Sequence, residues 1–331
     1  VPKTVGFYGS PVGLWEKGLS LRELGINTVV AGKDAVNQEM VDRCHAEGAK
    51  VYGDFSFFVG ADTAEKHPEL WPIGEDGKRL EPVEWYLGLC PTYEWYRQEK
   101  LQEISDFLKL TPVDGIYLDF IRWPCHWEVL QPKIEQSCFC DNALSLFSAA
   151  TGIEIHGHTT RQKASQILRH HLDAWTNWKA EQITSFVRDV RRVVEEARPG
   201  TSIGLFAVPW KPDEYDDAIA RIIGQDFPAL AQYVDVFSPM VYHAMCGREV
   251  GWVGDYSAWL AERTGKPIRP IVQATNDTRT VSPEEFAQIL QQALAPSTDG
   301  LIIFTLDALL NEPEKLEIVR KTVTEFSRKE D

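Results

Sequence analysis

The sequence predicts a single closed (β/α)8 barrel over residues 1–331, a TIM barrel with long loops after its third and fourth strands. Two observations predict it. Eight short runs rich in β-branched and aromatic residues recur along the chain, and a stretch of helical periodicity follows each. Strands alternating with helices imply right-handed parallel crossovers, and eight such units close a barrel; an open doubly wound sheet is the competing arrangement. No linker, low-complexity segment or longer repeat divides the chain, and one closed sheet can organise a core of this length.

The strands are predicted at 5–10, 26–31, 50–57, 115–122, 202–208, 234–242, 268–274 and 301–306. Helical signals fill the intervals at 20–24, 36–47, 93–110, 162–197, 217–231, 257–263, 283–294 and 314–326. The fourth is the longest: Ile167, His171, Trp175, Trp178, Ile183, Phe186, Val190 and Val194 fall near helical spacing, and Arg198-Pro199-Gly200 supplies the stop. The connections 59–92 and 123–160 far exceed the usual barrel loop. Because they follow strands three and four, they belong at the C-terminal mouth, where barrel enzymes build their sites.

Composition narrows the partners. A formal net charge of −15 opposes nucleic acid and anionic membrane, which need clustered Lys and Arg. No run of eighteen apolar residues is present to cross a bilayer, so membrane insertion is not expected. Eleven Trp and an aromatic content of 11% suit a protein that stacks flat rings on sugar faces. The first residue is Val, and no basic and apolar leader follows it, so a signal peptide, had there been one, is already gone; the compartment and the oligomeric state stay open.

The segment Asp114 to Pro124 carries the most chemistry. Alternation along this strand puts Ile116, Leu118 and Phe120 toward the helices, and Tyr117 and Asp119 toward the barrel axis. Asp119 then reaches the mouth, where partial desolvation and the neighbouring Arg122 can tune it as nucleophile, base or stabilising charge. The plainer reading is an Asp that only salt-bridges Arg122 and holds the loop.

Asp114-Gly115-x-x-x-Asp119 resembles the fourth-strand signature of family 18 chitinases, and Leu118-Asp119-Phe120-Ile121-Arg122-Trp123-Pro124 is similar to uncharacterised glycoside-hydrolase-like barrels. Ser238-Pro239-Met240-Val241-Tyr242-His243 resembles the sixth-strand Met-x-Tyr-Asp of the chitinases, and residues Gly300 to Asp307 resemble their eighth strand with Phe304 in place of Trp. The resemblance implies a sugar-cleaving barrel with Asp119 in the site. It carries over no second acid: Ile121 stands where those enzymes place a catalytic Glu, Tyr117 replaces a middle Asp, and His243 replaces the sixth-strand Asp.

Cleaving a glycosidic bond usually takes two carboxyl groups, roughly 5 Å apart for retention or roughly 6.5 to 9.5 Å for inversion. Candidates for the second are Glu128, Asp54, Asp213, Glu214 and Asp307, all at strand ends or in long loops. Glu128 leads, because aromatic neighbours would raise its pKa as a general acid requires, and Asp54 follows. For binding, Tyr8, Tyr117, Arg122, Tyr242, His243, Gln273 and Asp307 offer polar groups, with His243 in a supporting place. Trp71, Trp85, Trp123, Trp127 and Trp210 fall in the mouth loops, where some should be stacking platforms and others anchors that close the loops.

Cys138-Phe139-Cys140, with Cys125 and His126 upstream, raises zinc, but C-x-C lacks the second spaced pair of common structural sites. Buried thiols or a loop disulfide are the expectation, with no metal and no cofactor. Three functions compete: a hydrolase of an oligo- or polysaccharide, a carbohydrate-binding barrel that has lost its chemistry, and, behind both, a metal-dependent hydrolase.

Overall fold

All eight β-rich runs form strands: β1 (Thr4–Tyr8), β2 (Thr28–Gly32), β3 (Lys50–Ser56), β4 (Gly115–Asp119), β5 (Ser202–Ala207), β6 (Val236–Val241), β7 (Ile271–Gln273) and β8 (Gly300–Phe304). The computed structural model describes residues 3–330, and side chains as far as residue 325. The strands are parallel and close in sequence order, β8 pairing back onto β1 through Thr4↔Gly300 to Tyr8↔Phe304. That settles the choice between a barrel and an open sheet. No helix among the described residues is long and apolar enough to cross a membrane.

The barrel interior is filled by large side chains that need small neighbours. Tyr117 stacks on Phe206 at 4.6 Å, meets Tyr52 edge-on at 5.5 Å, and shares a 3.0 Å hydrogen bond with the Ser238 hydroxyl. A Cβ at Gly204 would lie 2.4 Å from the Tyr117 ring, and one at Gly115 2.4 Å from the Tyr52 ring, so these two positions are glycine for room. At the N-terminal end, the residue before three of the even strands ties down the strand before it. Asn27 Oδ1 accepts from the Val5 N–H at 2.9 Å, and Asp114 Oδ2 and Asp235 Oδ2 accept from the Val51 and Ile203 N–H groups at 2.8 Å. Asp114, the first residue of the fourth-strand signature, is therefore a structural clasp.

Outside the sheet, three predicted helices differ, the 20–24 helix being only a 3-10 turn at Arg22–Leu24. The 162–197 stretch is two helices, Thr160–His170 and Leu172–Ala197, because His171 leaves helical geometry at φ −137. Hydrogen bonds still span the break, from the His171 N–H to the Ile167 carbonyl at 2.8 Å and from the Trp175 N–H to the His171 carbonyl at 2.9 Å, so the apolar spacing does not register it. The 217–231 stretch is interrupted at Gly224, in the left-handed region at φ +74, and restarts at Phe227–Leu230 under an Asp226 cap. The two insertions are joined to each other: Gly74 and Ser137 form an antiparallel bridge, and the Phe139 N–H donates to the Ile73 carbonyl at 2.8 Å.

Candidate active site

The mouth of the barrel holds a cavity of about 960 Å³. Tyr8, Phe206, Tyr242 and Phe304, from the ends of β1, β5, β6 and β8 or just beyond, make an aromatic floor, with Met240 and Ile271 beside them. Trp85 and His126 from the two insertions and Phe120 just after β4 form a wall. Into this apolar bowl project the carboxylates of Asp119 and Glu128, with Asp54 just beneath, bonded to the Tyr8 hydroxyl at 2.8 Å.

Each acid is held differently. Asp119 is the last residue of β4; its Oδ1 accepts the Phe120 N–H at 2.7 Å, and Phe120 sits at φ +53, a region that costs a residue with a Cβ roughly 1 kcal/mol or more. That turn overturns the expected alternation: Phe120 faces the cavity rather than the helices. Ile121, at the position of the chitinase Glu, is swung into the core and fully buried. Burial pushes the Asp119 carboxyl up to about 6, against the pull of Arg122 and the Phe120 N–H. Burial likewise raises Asp54 well above the usual range, and the charge of Asp119 adds to this. Asp54 Oδ1 is buried with no hydrogen-bond partner among the described residues.

Glu128 lies on the second insertion, its side chain 9% exposed, with Oε1 3.9 Å from Arg122 and Oε2 4.0 Å from His126 Nε2. Burial raises its pKa more than the Arg122 charge lowers it. Arg122 itself is buried; its guanidinium lies 4.6 Å from the centre of the Phe120 ring, and its charge acts on both Asp119 and Glu128. It tunes these acids rather than lining the cavity.

Several expected binding residues lie elsewhere. Trp123 is fully buried, packed on Trp178 with its Nε1–H donating to the Lys179 carbonyl at 3.0 Å. Trp127 backs the wall from behind, stacked on Tyr242 at 6.1 Å, and Trp210 is buried against Tyr215. These three are packing residues: Trp123 is covered by the helix Leu172–Ala197, Trp127 by Tyr242, and Trp210 by Tyr215. Tyr117 is buried beneath the floor. Gln273 is consumed by the wall, accepting from the Met245 N–H and donating to the Thr275 carbonyl. His243 is buried with its Nε2 2.7 Å from Glu285, and Asp307 is exposed in the first turn of the helix Leu306–Asn311, outside the cavity lining. Of the other acids considered, Asp213 is exposed and Glu214 is paired with Arg248. Tyr8 and Tyr242 stand in the cavity as expected, and Trp85, 60% exposed, is the loop tryptophan that lines it. Phe120, assigned to the helix side, His126, considered only beside the thiols, and Phe206 were not among the expected binding residues, yet all three line the cavity.

No protein-family model matches the chain, and no curated protein sequence matches it significantly. Solved structures do. The PgaB (BpsB) glycoside hydrolase domain from Bordetella bronchiseptica is similar with a TM-score of 0.72 at 12% identity, over 97% of this chain and 98% of that one. A β-galactosidase from the psychrophilic Marinomonas ef1 is similar with a TM-score of 0.73 at 12% identity, over 98% of this chain and 59% of that one. An α-L-fucosidase isoenzyme 2 from Paenibacillus thiaminolyticus gives 0.62 at 12%, over 99% and 49%. This chain thus spans the whole of the PgaB domain and about half to three fifths of the longer enzymes. At such identities the likeness is one of fold: the chain shares the barrel architecture of these enzymes.

Proposed function

We propose that this protein is a glycoside hydrolase that cleaves an oligo- or polysaccharide in the mouth cavity, with Asp119 as the central carboxylate and Glu128 as proton donor. The observation that carries the reading is the meeting of Asp119 and Glu128 in one aromatic-walled cavity at the end of the barrel where such enzymes work. The two acids come from different segments and face the same space, as acid-assisted glycosyl transfer requires. Asp119, ionised above about 6, supplies negative charge to an oxocarbenium-like transition state. Glu128, whose pKa burial raises above the usual carboxylate range, protonates the leaving oxygen. Asp54, bonded to the Tyr8 hydroxyl, lies close enough to feel the Asp119 charge; Trp85, Phe120 and Tyr242 offer faces for sugar rings.

A second reading, a carbohydrate-binding barrel without chemistry, draws on Ile121 in place of the chitinase Glu. The experiment that separates them is a screen of polysaccharides and oligosaccharides for new reducing ends, with binding measured in parallel by calorimetry. Hydrolysis of one class, lost in Glu128→Gln, supports the hydrolase. Saccharide binding at the cavity without any reducing-end release supports the binding barrel.

A further inference from the structure

Cys90, Cys138 and Cys140 bring their three sulfur atoms within 4.8 Å of one another. They come from both insertions: Cys90 lies near the end of the first, and the Cys138-Phe139-Cys140 run lies in the second. We propose that these three thiolates hold a zinc ion that pins the two insertions together beside the barrel mouth. Cys90 is the second point of attachment that the C-x-C pair lacks in sequence.

The geometry suits a thiophilic ion. Zinc–sulfur bonds of roughly 2.3 Å in a tetrahedral site put sulfurs roughly 3.8 Å apart. Cys90 and Cys140 Sγ are 3.7 Å apart. Hydrogen-bond donors converge on the sulfurs, as they do on metal-bound thiolates, whose orientation and charge they stabilise. The Ile73 N–H reaches Cys138 Sγ at 3.2 Å, the Ala143 N–H reaches Cys140 Sγ at 3.4 Å, and the Tyr93 hydroxyl reaches Cys140 Sγ at 3.9 Å. A neutral thiol is a weak acceptor and would not need them. Cys140 also caps the helix Asp141–Thr151, a place where negative charge is favoured.

No His, Asp or Glu among the described residues joins the group, so water or the Tyr93 phenol completes four-coordination. None of the three cysteines lines the mouth cavity, so the role is structural. The ion would fix the bridge from Ile73 and Gly74 to Ser137 and Phe139, and through it the loops that carry Trp85 and Glu128.

The test uses the full chain purified under reducing conditions without chelator. Metal analysis should find about one zinc per chain, as a folded structural site retains. After stripping, Co²⁺ titration should saturate at the same stoichiometry with a sulfur-to-cobalt charge-transfer band. The band should vanish in Cys90→Ser and Cys140→Ser and persist in Cys125→Ser, whose thiol lies outside the cluster. Wild-type protein that takes up neither ion overturns the proposal, whatever the folding of the variants. So does a denatured, non-reduced chain with two fewer free thiols than the six in the sequence, which would mark a disulfide, and so does a band that survives Cys90→Ser.

Discussion

At the N-terminal end of the barrel the acids are matched to donors, and at the mouth they are matched only in part. Asp114 Oδ2 takes the Val51 N–H and His45 Nε2, each at 2.8 Å; Asp235 Oδ2 takes the Ile203 N–H and the Arg191 guanidinium; Asp299 Oδ2 takes that of Arg269. At the mouth, Asp54 Oδ1 and Glu128 Oε2 are buried with no hydrogen-bond partner among the described residues, and all three carboxyls there hold their protons more tightly than usual. Asp114 and Asp119 sit at opposite ends of one strand, so the contrast does not come from residue type or local sequence. It comes from which end of a barrel is free to leave charge unsatisfied: strand starts need their backbone held, whereas a mouth that is to act on a substrate keeps polar atoms in reserve, at a cost in stability.

The largest expected effect is on Asp119. Asp119→Asn should lower turnover by more than about a thousandfold while saccharide binding changes little, because the charge matters most in the transition state. Steady-state kinetics with parallel calorimetry read both. Glu128→Gln comes next: a loss of about 10²–10⁴-fold on natural glycosides, and a much smaller loss on a dinitrophenyl glycoside whose leaving group needs no proton. Equal losses on both substrates would remove Glu128 from the acid role.

The pH profile sharpens the contrast further. With Asp119 acting ionised and its carboxyl raised to about 6, kcat/KM should fall as pH drops through about 6. An ordinary carboxylate would hold activity down to about pH 4. An acidic limb near 4 would mean that Asp119 is not the group titrating. The smallest effect is on the wall: Trp85→Ala should raise the dissociation constant of an oligosaccharide by about tenfold, the worth of one stacked ring, without lowering the melting temperature. Unchanged binding would restrict the sugar to the strand-borne floor.

The architecture was legible because eight runs of the right length and composition recur in order, and because parallel crossovers leave little choice in closing them. Asp119, Asp54, Tyr8 and Tyr242 were legible for a related reason: strand-end position and alternation fix which side chains reach the mouth. The rule failed at Phe120, where one left-handed residue turns the chain, and at His243 and Gln273, whose polar groups are taken up by the local wall. Tryptophans in the insertions were not legible. Trp85 and Trp123 are both loop residues, yet one is 60% exposed in the cavity and the other has no exposed surface, because distant helices cover it. The thiol cluster was half visible: Cys138 and Cys140 stood out as a pair, but Cys90 meets them only through the packing of one insertion on the other.

The most direct test of the account sets two substitutions on the same strand side by side, Asp114→Ala and Asp119→Asn, and measures melting temperature and turnover per folded molecule at pH 7. A carboxyl whose folded pKa lies above its unfolded value loses stability as pH rises between the two. At pH 7 the ionised Asp119, raised from 3.8 to about 6 by burial, is therefore a net cost to the fold. Asp119→Asn should then melt higher than wild type and turn over almost nothing. Asp114→Ala, which strands the Val51 N–H and releases His45, should melt lower by the equivalent of about 1–3 kcal/mol and keep wild-type turnover per folded molecule. If instead Asp119→Asn lowers the melting temperature and leaves turnover intact, Asp119 is a structural clasp like Asp114, and the catalytic assignment is wrong.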